Sequence, residues 1–194
     1  MNVTGLNRPY SIVSLTQGTK EWLEWRHQGI GASEAPTIMG ENPWKLPDQL
    51  RIEKKRAVRE GTQNEAMATG TALEPVARAH YCSTVGIVVE PACLQSLEHD
   101  WLRASVDGIT ADGQRVVEIK CGQSVYRKTA GSRRAPDYYY GQLQHILAIT
   151  GLPVIDFLCF FPPNPPLLIE VRRNDAYIHK LLATEKAFWQ RLKD

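Results

Sequence analysis

The chain has 194 residues, 43% of them hydrophobic, with Lys+Arg 23 against Asp+Glu 21 and a formal net charge of +2. That length suits one compact domain, 1–194, able to bury a core without disulfide or metal staples, and so small a charge does not by itself announce a nucleic-acid binder. No stretch approaches the roughly 20 apolar residues of a membrane span, and the polar start from Met1 to Tyr10 lacks the apolar core of an export signal, so neither a membrane nor export is expected.

Thr19-Lys20-Glu21-Trp22 predicts a helix start, with Trp22, Leu23, Trp25 and Arg26 on the following turns. Gly29-Ile30-Gly31 ends that helix, and Ser33 is placed to N-cap a short helix through Met39. Basic residues gather at 51–59 (RIEKKRAVR), which reads equally well as a phosphate-binding stretch or a solvated helix face. The longest predicted helix runs over 64–85, with Leu73, Val76, Ala77 and Tyr81 at helical spacing and Pro75 marking a kink or a new first turn. Short strands follow at 87–90 and 93–97, then longer ones at 102–110 and 115–120 joined by the hairpin turn Asp112-Gly113. A second basic cluster, 127–134 (RKTAGSRR), has few apolar residues and reads as an exposed, mobile loop, with Arg127 as a DNA contact. A helix is predicted over 137–150, closed by Gly151 with Pro153 just beyond. The apolar run 153–161 is a buried strand, 162–166 a stiff turn and 167–172 another strand, after which Asn174 caps a last amphipathic helix through Leu192. This order predicts an α/β fold, a central mixed β-sheet flanked by helices.

Three features in this layout carry chemistry. Gly70-Thr-Ala-Leu-Glu74 puts a carboxylate on a helix, Ser105-Val-Asp107-Gly108 lies on one strand of the hairpin, and Val116-Val-Glu118-Ile119-Lys120 lies on its partner. Side chains alternate along a strand, so Glu118 and Lys120 share one face while Val117 and Ile119 enter an apolar layer. Taken alone, such a triplet is an ordinary ion pair of little worth. The Asp112-Gly113 turn changes this, because antiparallel pairing through it sets Asp107 opposite Glu118. Two carboxylates so close repel each other unless a cation lies between them. Magnesium suits that place, since it takes few carboxylates, keeps waters and accepts phosphate oxygens, with the Ile119 carbonyl as a further ligand. Lys120 then stands where it can orient or help deprotonate an attacking water. Cys82, Cys93, Cys121 and Cys159 include no C-x-x-C pair, which speaks against a zinc site, a redox motif or an iron–sulfur cluster and for reduced thiols in a cytoplasmic protein.

D-(x)n-E-x-K on a hairpin resembles the restriction-endonuclease-like PD-(D/E)xK nuclease superfamily. Trp25-Arg26, Ile30-Gly31-Ala32-Ser33-Glu34, Gly70-x-x-x-Glu74, Ser105-Val-Asp107-Gly108, Val117-Glu118-Ile119-Lys120-Cys121 and Tyr140-Gly-Gln142-Leu-Gln144 follow one another in order. Together they resemble its lambda-exonuclease-like branch, the YqaJ viral recombinases. The resemblance implies that Asp107, Glu118 and the Ile119 carbonyl hold Mg²⁺, with Mn²⁺ as a substitute. By the same resemblance Glu74 supports a coordinated water or a second metal, and Lys120 positions the nucleophilic water. Gln142 or Gln144 serves the same site; on a helix the two lie about 200° apart, so one faces it, and the pattern does not decide which. Arg26 and Ser33 are expected to form a pocket for a 5′-terminal phosphate, a use that the planar donors of Arg and a hydroxyl at a helix start suit physically. Ser105 is expected to touch the same phosphate. Trp44, in the turn Asn42-Pro43-Trp44-Lys45, is expected near the DNA entrance, whereas Trp22, Trp25, Trp101 and Trp189 are read as packing.

The activity implied is 5′-to-3′ exonucleolytic digestion of linear duplex DNA, releasing mononucleotides and leaving a 3′ single strand for phage-type recombination. A homotrimeric ring and a single-strand annealing partner come with that resemblance, as do a phage or prophage origin and a bacterial cytoplasm. The nearest alternatives are an endonuclease or single-strand exonuclease of the same superfamily, and then a catalytically silent DNA-binding module.

Overall fold

Strands buried along nearly their whole length belong in the middle of a sheet covered on both faces. The runs β5 (Val116–Cys121) and β6 (Val154–Phe160) meet that description, as does the preceding strand Leu102–Ile109. In the computed structural model, which describes residues 8–58 and 65–193, they are central strands of one mixed sheet. Residues 1–7, Arg59 of the first basic stretch and Asn64 at the expected helix start lie outside the described residues. The other strands are β1 (Tyr10–Val13), β2 (Ile30–Gly31), β3 (Glu90–Ser96), β4 (Leu102–Ile109) and β7 (Leu167–Arg172). The order is β1-β3-β4-β5-β6-β7, with β2 pairing in parallel with the start of β4. β5 and β6 are parallel and the remaining neighbours antiparallel. The helices are α1 (Lys20–His27), α2 (Ala35–Ile38), α3 (Pro47–Lys54), α4 (Glu65–Val85), α5 (Gln123–Ser132), α6 (Asp137–Thr150) and α7 (Asp175–Lys193).

Alternation on β5 divides the core. Val117 and Ile119 pack with Ala77 and Tyr81 of α4 on one face of the sheet. Val116 looks the other way, into the larger cluster with Leu143, Ile146 and Leu147 of α6 and Phe188 of α7. Glu118 and Lys120 therefore point towards α6. The α4 layer is fixed by a polar anchor in this core: Tyr81 donates to the Asp156 carboxylate, which also accepts from Arg115 Nε at 2.8 Å. Gly141 lets α6 approach α2, because a Cβ there would sit 3.2 Å from the Pro36 nitrogen.

The predicted helices at 137–150 and after Asn174 form as expected, the first closed by Gly151 in the left-handed region and the second capped by Asn174 Oδ1 accepting from Tyr177 N–H at 3.0 Å. Four local expectations need correction. The two short strands are one, β3, in which Cys93, Leu94 and Gln95 pair with both β1 and β4. The basic loop at 127–134 is mostly helix α5: Val125 and Thr129, one turn apart, are both buried and anchor it, and it ends at Arg133 in the left-handed region. Ser33 does not cap a helix; it lies inside a 3₁₀ turn (Ala32–Glu34), and the Glu34 carboxylate accepts from Gly31 N–H at 2.8 Å instead. Pro75 does not open a new first turn, since it lies within a continuous α4.

Candidate functional site

β4 and β5 begin as the expected hairpin and then part. Ile109 pairs with Val116 and Gly108 with Val117, the register that sets Asp107 against Glu118. On its other side β4 slips one residue against β3 between Val106 and Ile109, a bulge that re-aims the strand at this point. Past Gly108 the Asp107 side chain replaces backbone pairing, as its Oδ2 accepts from Ile119 N–H at 2.6 Å. No side chain fits at position 108, where a Cβ would meet Val89 Cγ2 at 2.6 Å and Val117 Cγ1 at 2.8 Å. Farther along, the freed edge of β4 pairs with β2.

Glu118 stands at the mouth of this split, 1% exposed. Its Oε1 accepts from Lys120 Nζ at 2.5 Å and from Gln142 Nε2 at 2.5 Å, while its Oε2 is buried without a hydrogen-bond partner. An unpartnered buried carboxylate oxygen is costly unless a cation meets it. Asp107 shows the same need: burial, with the adjacent Glu118 charge, pushes its carboxyl well above the usual range. Burial disfavours the charged form of Lys120, yet Glu118 and Asp107 outweigh it and hold the ammonium above its ordinary value. Glu74 sits outside the pair, in an ion pair with Arg78 at 2.9 Å, and Arg78 also donates to the Asp107 carbonyl at 2.8 Å. No group of three or more His, Cys, Asp or Glu among the described residues is placed to hold a metal. Two facing carboxylates with an orphaned oxygen fit a hard divalent cation that keeps much of its water, as magnesium does, and do not fit a metal that needs a full protein cage.

The same cleft, about 160 Å³, continues from Asp107, Glu118, Lys120 and Gln142 to Arg26, Ser33 and Ser105. Arg26 Nη2 donates to Ser33 Oγ at 2.7 Å and its guanidinium lies 4.5 Å from the Trp22 ring centroid. The Trp22 indole N–H donates to Ser105 Oγ at 2.8 Å. These groups form a continuous polar wall with one cationic head. Lys54 holds the corner that carries it. Its ammonium, 4% exposed, donates to the Arg26 carbonyl at 3.1 Å and the Gly29 carbonyl at 2.6 Å and pairs with Glu34 at 2.8 Å. Burial lowers its pKa against the attraction of Glu34. So this member of the first basic stretch is a clamp, neither a solvated face nor a free phosphate contact.

Other expected site residues fall elsewhere. Gln144 is corrected: it is fully buried, donating to the Arg172 carbonyl at 2.8 Å and accepting from Asn174 N–H at 2.9 Å, so it ties α6 to β7 and α7. Arg127 is exposed on α5 and does not line the cleft. Trp44, 70% exposed, lies in a neighbouring groove, edge-on to Tyr138 at 4.8 Å. Trp22 and Trp25, expected as packing, both line the cleft, and the spacing of Trp22 one helical turn before Arg26 is the available signal. Arg78 could have been found likewise, one turn after Glu74. Nothing local in sequence marks Lys54, whose partners come from a separate segment.

A family model described as the YqaJ-like viral recombinase domain matches residues 21–153. Among curated proteins, the chain is 29% identical over 174 residues to the uncharacterized protein YqaJ of Bacillus subtilis, covering 87% of this chain and 54% of that one. It is 27% identical to the uncharacterized protein R354 of Acanthamoeba polyphaga mimivirus, covering 76% of this chain and 29% of that one. The chain thus spans about half or less of the length of these curated relatives. Among solved structures, the alkaline exonuclease LHK-Exo of Laribacter hongkongensis superposes with a TM-score of 0.80 at 27% identity, over 90% of this chain and 93% of that one. A phage-related exonuclease from Haemophilus somnus shares the fold, with a TM-score of 0.62 at 12% identity over 88% of this chain and 98% of that one.

Proposed function

Since the chain belongs to the YqaJ-like viral recombinase family, which is lambda-exonuclease-like, we propose that it is a metal-dependent exonuclease digesting linear duplex DNA from the 5′ end. One observation carries this reading: a single cleft joins the Asp107–Glu118–Lys120 cluster to the Arg26–Ser33–Ser105 wall. An arginine fork beside two hydroxyls suits a terminal phosphate dianion. A carboxylate pair in the same small cleft places the cut close to that terminus, which favours an exonuclease over an endonuclease. The dAMP complex of LHK-Exo shows that this relative accepts a nucleotide.

Asp107 and Glu118 would hold Mg²⁺ or Mn²⁺, with the Ile119 carbonyl completing the protein donors and Glu74 supporting from α4. Bound there, the cation supplies positive charge for the phosphate oxygens and lowers the pKa of water. Lys120 holds and orients the attacking water. Its ammonium is kept charged by the two carboxylates, so it acts as a donor that steadies negative charge on the phosphate. Gln142 keeps Glu118 in one rotamer through its amide. Arg26 and Ser33 hold the end of the strand while the scissile phosphate reaches the carboxylates. The product is a mononucleotide, and the undigested strand is left as a 3′ single strand suited to recombination. A ring-shaped homotrimer around DNA and a single-strand annealing partner extend the reading by family resemblance.

The test is digestion of linear duplex labelled separately at its 5′ and 3′ ends, with Mg²⁺ or with EDTA. Mg²⁺-dependent release of 5′ label as mononucleotide, lost in Lys120→Ala, is the expected result. Early release of 3′ label, or cutting of closed circles, would overturn the polarity. DNA binding without cleavage would leave a silent binding module.

A further inference from the structure

Glu118 and Lys120 stand two apart on β5, on one face of the strand, and α6 meets both. Gln142 donates to Glu118 at 2.5 Å. One helical turn earlier, the face of the Tyr139 ring meets the Lys120 ammonium, with Nζ 5.2 Å from the ring centroid. Three residues of helix rise about 4.5 Å and two of strand about 6.6 Å, so the two spacings nearly match where α6 runs against β5 in the opposite sense. The Tyr139 ring is itself held. It lies 5.7 Å from Phe157 of β6, which is fully buried, and 4.7 Å from Tyr138. The hydroxyls of Tyr81, Tyr126, Tyr140 and Tyr177 each have a hydrogen-bond partner, whereas that of Tyr139 has none among the described residues. Burial raises the pKa of that hydroxyl against the attraction of Lys120, so the side chain meets the ammonium as a neutral phenol.

Lys120 needs such a contact. A lysine head rides on a flexible four-carbon stem and has three donors to place. One goes to Glu118 Oε1 at 2.5 Å. A further carboxylate at the ring's place would fix the head but cancel the charge that a phosphate calls for. A ring face attracts the cation through its quadrupole and leaves its charge and donors intact. We propose that Tyr139 is a positioning residue: its ring face holds the Lys120 ammonium in the rotamer that aims the remaining donors at the attacking water and the scissile phosphate. Gln142 and Tyr139 then act as a pair from one face of α6, each on one member of the Glu118-Ile119-Lys120 triplet. The hydroxyl has no part in this, so a phenylalanine serves where an aliphatic side chain does not. The role given to Lys120 rests on the nuclease reading, but the contact between ring and ammonium does not.

The test has two readouts. In metal-free protein carrying ¹³C-lysine, the ring current of Tyr139 should displace the Lys120 Cε protons upfield, the resonance being assigned by its absence in Lys120→Ala. The displacement is expected to persist in Tyr139→Phe and to vanish in Tyr139→Leu. In Mg²⁺, Tyr139→Leu is expected to lower kcat for release of 5′ label about tenfold, the size of a partly desolvated cation–π contact, with KM unchanged. Tyr139→Phe should recover most of that loss. Rates are taken per folded molecule, with thermal melting as the check, because leucine gives up packing on Phe157 that phenylalanine keeps. Lys120 Cε protons that resonate with those of the other lysines in the wild type overturn the contact. A loss carried by KM overturns the positioning role, and so does one that Tyr139→Phe fails to recover, which would make the hydroxyl the working group. A wild type with the displaced resonance that releases no end label keeps the contact and removes the nuclease reading, and with it the role given to Lys120. Normal release with an undisplaced resonance removes the Tyr139 contact alone.

Discussion

At the scale of single residues, the central fact is a carboxylate held where its charge is unwelcome. Burial and the neighbouring Glu118 raise the Asp107 pKa well above its ordinary value. A carboxylate with a raised folded pKa stabilises the fold only while protonated. That contribution is complete below the unfolded pKa and is lost as pH rises through the folded one. The metal-free protein should therefore lose melting temperature as pH rises from about 4, the unfolded value of an aspartate, and Asp107→Asn should reduce that loss. Mg²⁺ should raise the wild-type Tm most at higher pH, by about 5 °C or more at a hundred times Kd, and should not raise that of Asp107→Asn. A Mg²⁺ shift that survives in the variant would place the cation elsewhere. This pair was legible in sequence because the Asp112-Gly113 turn fixes the register and the register fixes the neighbour. The orphaned Glu118 oxygen was not legible, since it depends on where α6 puts Gln142 and where β5 puts Lys120.

At the scale of elements, α6 serves two purposes on two faces. Gln142 turns to Glu118, while Gln144 turns away to join β7 and the start of α7. Sequence spacing showed that the two must face apart and left the choice between them open, because the helix is buried almost all round and its apolar pattern names no single inward side. Gln142→Ala should lower activity about ten- to a hundredfold with little loss of stability, as removal of a residue that orients a metal ligand does. Gln144→Ala should do the opposite, costing about 2 kcal/mol in denaturant unfolding as buried backbone partners are stranded, with activity per folded molecule retained. Equal behaviour of the two in both measurements would contradict the assignment. Helix α5 was misread for a related reason: its anchoring positions, Val125 and Thr129, are few, and the basic residues between and after them hid the period. The hairpin was read well in its paired part, and the split beyond Gly108 was not, because a side chain substituting for a backbone partner leaves no periodic trace.

At the scale of the whole molecule, the fold brings two distant stretches to one opening. The α1–β2 corner supplies Arg26 and Ser33, and the β4–β5 split supplies the carboxylates and Lys120. β2 makes this possible by pairing with the part of β4 that β5 has left free. A mixed sheet flanked by helices was readable from the order of apolar periods and turns, and the relatives share it. That the corner and the split meet in one cleft was implied only through family resemblance, since no spacing in the sequence relates residue 26 to residue 118. The account depends most on that meeting. The measurement that tests it directly compares the initial rate of digestion of 5′-phosphorylated and 5′-hydroxyl duplex by wild type and Arg26→Ala, in Mg²⁺. If the cleft holds the terminal phosphate beside the cutting site, the variant loses about ten- to a hundredfold on phosphorylated ends, the worth of a hydrogen bond to a charged group, and little on hydroxyl ends. Equal loss on both ends would contradict the account and reduce Arg26 to a structural partner of Ser33 and Trp22.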